Sequence, residues 1–219
     1  LNAAQPDEAD HYRWIASPDG KPIGTDAITV GLIYRPAKVT PEGAASLIEL
    51  PVQQAEAQDA SGKPVAIKQG MRESLLQRFS SPKGDAPLTL VVNHLKSKGS
   101  ACFEDYPDYA TADPLDGQGH CNALRVSAAK VLGERLKEVS GDLLLIGDLN
   151  AYGMEDPIRV LTDYDPAAQA RQILSASVTT LAGQPYEESG SALGKGYGFI
   201  NLNTRFHGTD TYSYSYEGE

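Results

Sequence analysis

The sequence is poor in long apolar runs, and this excludes membrane insertion through an apolar helix. Its longest apolar run, residues 143–146, is strand-sized and far below the ~20 residues that span a bilayer. The first residues carry neither a basic nor an apolar segment, so we expect no signal peptide there. The 219 residues are 41% hydrophobic and 22% charged, which excludes the disordered and fibrous classes.

Positive charge is also scarce. The chain has 19 lysines and arginines against 29 aspartates and glutamates, for a net charge of -10. Such a chain repels phosphate backbones at long range. If the substrate is a nucleic acid, local cations or a bound metal must therefore overcome the repulsion.

There are only two cysteines, Cys102 and Cys121, and they flank a stretch rich in Asp, Gly, Pro and Tyr. A disulfide between them would contribute roughly 3 kcal/mol and would indicate an extracellular or cell-surface protein. The alternative is two unrelated reduced cysteines in a cytosolic enzyme. We expect the disulfide.

The pattern of apolar residues and turn signals predicts a mixed α/β (α+β) fold. A helix is predicted over residues 122–139, with Arg125 off its apolar face and Gly141 after its end. A short helix should open at Asp156 and Pro157. Other predicted helical and strand segments cover residues 26–34, 47–50, 65–68, 72–79 (strand or helix), 87–95, 142–149, 167–174 (helix) and the alternating tyrosines 212, 214 and 216. No repeat or linker divides the chain, so we expect one domain over residues 1–219.

Polar residues end the two best predicted strands. The first runs into Asn93, His94 and Lys96, and alternation places His94 and Lys96 on one face. The second contains four consecutive apolar residues, which predicts burial on both faces, and alternation places its Asp148 and Asn150 together.

These side chains are the parts needed for metal-assisted attack of water on a phosphodiester. His94 would act as an acid or phosphate hydrogen-bond donor and Lys96 as a point charge. Asp148 would hold or activate water, and Asn150 would orient an oxygen. Each has a simpler interpretation: His94 as a core histidine, Lys96 as a solvated strand exit, Asp148 as a turn residue.

The string from Asn93 to Gly99 (NHLKSKG) and the string from Gly147 to Tyr152 (GDLNAY), followed by Glu155, resemble the central motifs of a known superfamily. It is the endonuclease/exonuclease/phosphatase (DNase I-like) superfamily, in its branch of bacterial extracellular nucleases. Similarity extends to residues 31–36, the two cysteines, Arg125 and residues 196–202, and so covers most of the chain.

The resemblance implies a four-layer α/β sandwich and a secreted, Mg-dependent nuclease acting on DNA, with RNA as an alternative substrate and Mn or Ca as alternative cations. His94 would contact the scissile phosphate, while Asp148 and Asn150 would position water, phosphate and metal. Further phosphate or substrate contacts are expected at four residues: Asn93, Lys96, Arg72 and Arg125. Arg72 has an alternative explanation as a surface ion pair.

Three further expectations concern less regular positions. Asn201 stands where other branches carry an aspartate that assists the histidine. A calcium loop at Asp113, Asp116, Gly117 and Gly119 is a weaker alternative, since the spacing and terminal glutamate of known loops are missing. The family's first strand, with its metal-binding glutamate, and its final Asp-His pair do not appear. We therefore expect a partial domain, incomplete at both ends and part of a longer parent protein, with weak magnesium binding and little hydrolysis of its own.

Two other functions remain compatible with the sequence. One is a lipid phosphodiesterase or phosphomonoesterase of the same superfamily, and the other is a non-catalytic secreted binding module.

Overall fold

The structure is a computed structural model that describes residues 1–24, 27–109, 117–169, 171–186 and 188–213. It is a mixed α/β fold with ten strands in three sheets and three α-helices within these ranges. The strands are β1 (Arg13–Trp14), β2 (Ile33–Tyr34), β3 (Thr40–Ile48), β4 (Val52–Gln58), β5 (Pro64–Gln69), β6 (Ser74–Ser80), β7 (Leu88–His94), β8 (Asp142–Asp148), β9 (Thr179–Leu181) and β10 (Gln184–Pro185). The helices are α1 (Asn122–Leu136), α2 (Asp156–Leu161) and α3 (Leu202–His207).

The chain forms two compact units, each assembled from separate stretches of sequence. The first unit comprises Leu1–Glu49, Met71–Leu95 and Glu138–Leu149, and the second comprises Leu50–Gly70, Lys96–Lys137 and Asn150–Glu219. None of the helices in the described ranges is both long and apolar enough to cross a membrane.

The first unit contains a four-stranded sheet in the order β3-β6-β7-β8. Its first two pairings are antiparallel, whereas β7 and β8 are parallel. A small core on one face is formed by Ile23, Val30, Leu75 and Val92. The parallel pair matters for function because it brings two strand ends to the same edge of the sheet.

The second unit contains the antiparallel sheet β10-β9-β4-β5 and the three helices. Helix α1 packs against α2. The predicted apolar positions of α1 are buried, and these are Leu124, Ala128, Val131, Leu132 and Leu136. The helix ends at Leu136, before the predicted residue 139.

Several sequence predictions are confirmed: β7, β8, α1, and the short helix with proline at its first turn. Residues 72–79 form a strand rather than a helix. Residues 40–69 form three strands, which are longer than the segments predicted there.

Three predictions of local structure are wrong. Of the described residues 27–34, only Ile33–Tyr34 is a strand, and the stretch before it is held by side-chain contacts, such as the Thr29 hydroxyl donating to the Ile23 carbonyl. No helix forms among the described residues of the segment 167–174. The apolar run of β8 is half-buried, since β8 is the outer strand of its sheet as described.

One further prediction cannot be followed along its length. Tyr212 is exposed and lies outside any strand, while Tyr214 and Tyr216 lie outside the described residues.

Candidate functional site

His94 and Asp148 face each other at the ends of two parallel strands. They are the last register pair of β7 and β8, one pair beyond Asn93 and Gly147. The Leu95 N–H donates to the Asp148 carbonyl at 2.9 Å, which continues the pairing past the strand ends. The His94 Nε2 lies 3.8 Å from the Asp148 Oδ2. The structure therefore brings together two of the residues that the sequence singled out.

The two side chains differ in exposure. The Asp148 side chain is 60% exposed, whereas that of His94 is 21% exposed. They continue the sheet face on which Val92 and Ile146 pack with the small core. An imidazole and an open carboxylate thus stand at the carboxyl ends of parallel strands, which is where α/β sheets bind ligands. Their atoms are within ion-pair range but beyond hydrogen-bond distance.

Asn93 supports this edge of the sheet from the buried face. It is 1% exposed, and its Oδ1 accepts from the Ser74 hydroxyl at 2.7 Å. Its Nδ2 donates to the carbonyls of Val91 and Ile146, at 2.9 and 3.1 Å. The amide therefore links β6, β7 and β8. The expectation that Asn93 contacts substrate does not fit this structure, because the amide is buried and bonded within the sheet.

Gly147 allows the close approach of β8 to β7. Its φ is +112°, and a Cβ added to it would lie 2.1 Å from the Asn93 carbonyl oxygen. A glycine inside a strand often marks such a close approach of another backbone.

The predicted alternation does not extend to Lys96 and Asn150. Strands β7 and β8 end at His94 and Asp148, and Asn150 has a left-handed φ of 47°. Alternation therefore places neither residue on the face of its strand partner. Both belong to the second unit, where the Lys96 carbonyl accepts from the Arg125 side chain.

Arg72 stabilises a loop of the first unit. Its Nε donates to the Ile28 carbonyl, and its side chain lies so close to Gly24 that a Cβ there would be 2.7 Å from the Arg72 Cγ. These contacts give Arg72 a role in holding the segment around Ile28, which differs from the expected contact with phosphate.

Arg125 is fully buried, contrary to its expected place on a polar face of the helix. Its guanidinium donates to the carbonyls of Lys96, Gln118 and His120, at 3.2, 2.9 and 2.7 Å. Burial lowers its pKa to about 10, although Glu155 and other acids oppose this shift. Because the guanidinium donates hydrogen bonds to these three backbone carbonyls, it stabilises the loop before α1. The expected substrate contact of Arg125 does not fit this burial.

The predicted disulfide between Cys102 and Cys121 is present, with a Cα–Cα distance of 4.9 Å. The Asp105 Oδ2 accepts from the backbone N–H groups of both half-cystines, at 2.7 and 2.8 Å. These three residues are the one cluster of potential metal ligands among the described residues, and the disulfide removes both thiolates from it. Of the alternative calcium loop, Asp113 and Asp116 lie outside the described residues.

A partly buried ion pair that the sequence did not reveal connects Lys98 to Glu155. The Lys98 Nζ contacts the Glu155 Oε1 at 2.5 Å and lies 4.6 Å from the centre of the Tyr152 ring. Burial raises the pKa of Glu155, which the ammonium of Lys98 partly offsets. Lys98 lies in the first motif string and Glu155 just after the second, and this placement was the only signal that the sequence offered.

Asn201 caps α3. Its side chain accepts from the Thr204 N–H at 3.2 Å, as an N-cap residue does. Asn201 thus has a structural role at the start of α3.

No family model, curated protein or solved structure that was compared with the chain matches it.

Proposed function

We propose that the protein is a secreted, metal-dependent nuclease that hydrolyses phosphodiester bonds of DNA by in-line attack of water. The observation that carries this proposal is the pairing of His94 with Asp148 at the ends of β7 and β8. A general acid or hydrogen-bond donor beside an open carboxylate is the minimum that such a hydrolysis requires from the protein.

A DNase I-like four-layer sandwich is part of the proposal. Such a fold needs two separate sheets of several strands each, together with helices to cover them. The four-stranded sheets of the two units and the helices of the second unit supply these elements. The parallel β7–β8 pair supplies the strand ends at which its site would form.

His94 would donate a hydrogen bond or a proton to an oxygen of the scissile phosphate. Its half-buried imidazole is held by a strand whose register is continued by the Leu95 N–H. Asp148 would orient the attacking water, since its carboxylate is open to solvent. The Asn150 amide and the Lys96 ammonium would hold and attract the phosphate, and their placement remains part of the proposal.

Magnesium is the proposed cation, with manganese or calcium as alternatives. The donor set fits it, because Mg²⁺ binds through one or two carboxylates and keeps water or phosphate oxygens in its other positions. The open Asp148 carboxylate would hold it. When bound, it would neutralise the charge that develops on the phosphoryl oxygens.

The disulfide supports the extracellular location. Disulfides persist in oxidising compartments and are rare in the cytosol. The net charge of -10 supports a site in which phosphate recognition is local, through His94, Lys96 and a cation.

The experiment is a substrate panel with the full-length protein. Plasmid DNA, RNA, sphingomyelin and a phosphomonoester are each incubated with Mg²⁺ and, separately, with a chelator. We expect Mg²⁺-dependent cleavage of DNA, lost in Asp148→Asn. The matched control is Asp142→Asn, because Asp142 is an exposed aspartate at the other end of β8 and should leave cleavage unchanged. Hydrolysis of sphingomyelin alone would indicate a lipid phosphodiesterase, and hydrolysis of the phosphomonoester alone would indicate a phosphomonoesterase. Binding without hydrolysis would make the protein a binding module.

A further inference from the structure

Helix α3 presents an exposed apolar stripe. Leu202 and Phe206 lie four residues apart, so they share one helix face. They are 45% and 75% exposed, and α3 buries none of its residues. Ile200, just before the helix, is 70% exposed. Contiguous exposed apolar side chains of this kind indicate a binding surface rather than a core.

The helix is fixed to the rest of the second unit despite this exposure. The N–H groups of Gly198 and Phe199 donate to the carbonyls of Thr162 and Leu161, at 2.8 and 3.0 Å. The Asn201 cap then begins the helix. The exposed apolar residues therefore lie on a helix whose start is held in place by backbone hydrogen bonds.

The loop that carries Tyr152 touches the first turn of α3. A Cβ on Gly153 would lie 3.2 Å from both the Asn201 Nδ2 and the Thr204 Oγ1. Tyr152, adjacent to Gly153, has the Lys98 ammonium 4.6 Å from its ring centre and is 36% exposed. We call Lys98, Tyr152, Ile200, Leu202, Arg205 and Phe206 the α3 surface.

The charge around α3 is opposite to that of the chain. Its only charged or titratable residues are Arg205 and His207, and neither forms an ion pair with the residues that the structure describes. No aspartate or glutamate occurs in the sequence between Ser189 and Thr209, although the net charge is -10. Exposed aromatic rings beside an arginine that has no acidic partner among the described residues are the features that bind single-stranded nucleic acid.

We propose that the α3 surface binds an unpaired stretch of nucleic acid, with bases stacked on Phe206 and Tyr152 and a phosphate contacted by Arg205. Exposed rings accept any base because every base has a π-face. Arg205 supplies the fork of donors that phosphate oxygens accept. This inference rests on the proposed function, since it names the form in which a nucleic-acid substrate is held.

The test is fluorescence anisotropy of the full-length protein with a labelled single-stranded oligothymidylate in a chelating buffer, which prevents metal-dependent cleavage. Phe206→Ala and Tyr152→Ala should each weaken binding about 5- to 100-fold, the range of base–aromatic stacking. Arg205→Gln should weaken binding and flatten its dependence on salt, because one phosphate contact is lost. The matched control is Trp14→Ala, which removes an aromatic ring of the first unit that is also 75% exposed and should bind as wild type does.

The outcomes separate this inference from the proposed function. Equal binding by Phe206→Ala, Tyr152→Ala and Trp14→Ala would overturn the proposal that the α3 surface binds nucleic acid, even in a protein that cleaves plasmid DNA. Oligonucleotide binding that depends on Phe206, in a protein that hydrolyses no nucleic acid, would keep the surface and overturn the nuclease. Binding of anionic phospholipid vesicles through Phe206, without binding of the oligonucleotide, would assign the surface to a membrane and overturn the inference.

Discussion

Gly147 runs so close to Asn93 that a Cβ on the glycine would lie 2.1 Å from the Asn93 carbonyl oxygen and 2.9 Å from its nitrogen. This contact lies one register pair before His94 and Asp148. The geometry of the two candidate catalytic residues therefore depends on a glycine that carries no chemistry of its own.

Gly147→Ala should lower the free energy of unfolding by about 2–4 kcal/mol, because it combines a positive φ with a backbone clash. Urea denaturation measures the effect. Gly31→Ala is the control, since a Cβ there meets nothing within 4 Å and its φ is not positive. Equal stability of the two variants would show that the strands separate easily at this point.

The sequence allowed the strand ends of the first unit to be predicted because they depend on local signals. Two apolar runs that end in polar residues identified His94 and Asp148 as candidate site residues at strand ends. The continuation to Asn150 was wrong because alternation stops where the strand stops, and a left-handed residue follows. Asparagine tolerates the left-handed region better than most residues, but its presence does not by itself require that conformation.

Burial was harder to predict than secondary structure. Arg125 was expected on a polar face because it lies off the apolar spacing of the helix, yet it is buried and three backbone carbonyls accept its hydrogen bonds. The apolar run of β8 was expected to be buried on both faces, and it is half-buried because β8 lies at the edge of the described sheet. Both outcomes depend on tertiary partners that no local pattern records.

Arg125→Met should destabilise the protein by about 3–5 kcal/mol, because it leaves buried carbonyls and acids without their partner. Arg135→Met is the matched control on the same helix, where the arginine is exposed and the change should stay within about 0.5 kcal/mol. Chemical denaturation of both variants gives the comparison. If Arg125→Met lowered the free energy of unfolding no more than Arg135→Met does, the supporting role of the guanidinium would be contradicted.

Reduction of the disulfide should lower the free energy of unfolding by roughly 3 kcal/mol, because the loop of 19 residues regains conformational freedom in the unfolded chain. The measurement compares urea denaturation with and without a dithiol reductant. The Cys102→Ser/Cys121→Ser double variant should match the reduced protein and show no further response to reductant. An unchanged midpoint for the wild type in reductant would indicate that the Asp105 hydrogen bonds hold the loop alone.

Tyr197 should make stability sensitive to alkaline pH. Burial and its hydrogen bond to Glu134, at 2.9 Å, raise the pKa of Tyr197, and burial raises the pKa of Tyr186 to about 12. In the unfolded chain tyrosine ionises near a pKa of about 10. The folded state then binds more protons, so its stabilisation is complete below pH 10 and is lost as the pH rises further.

The free energy of unfolding should therefore fall as the pH rises from about 10 to about 12, less steeply in Tyr197→Phe than in the wild type. Tyr212→Phe is the control, because Tyr212 is 64% exposed and should leave the slope unchanged. Identical slopes for all three proteins would contradict the assignment to Tyr197.

The most direct test of the proposed site is a double-mutant cycle on DNA cleavage by the full-length protein. His94→Asn and Asp148→Asn should each reduce turnover by about 10²-fold or more, the scale of general acid–base catalysis. The double variant should lose little beyond the worse single variant, because residues that act as a unit are not additive. Circular dichroism should show all three variants folded. Cleavage near the wild-type rate by the double variant would contradict the central claim that these two strand ends perform the chemistry.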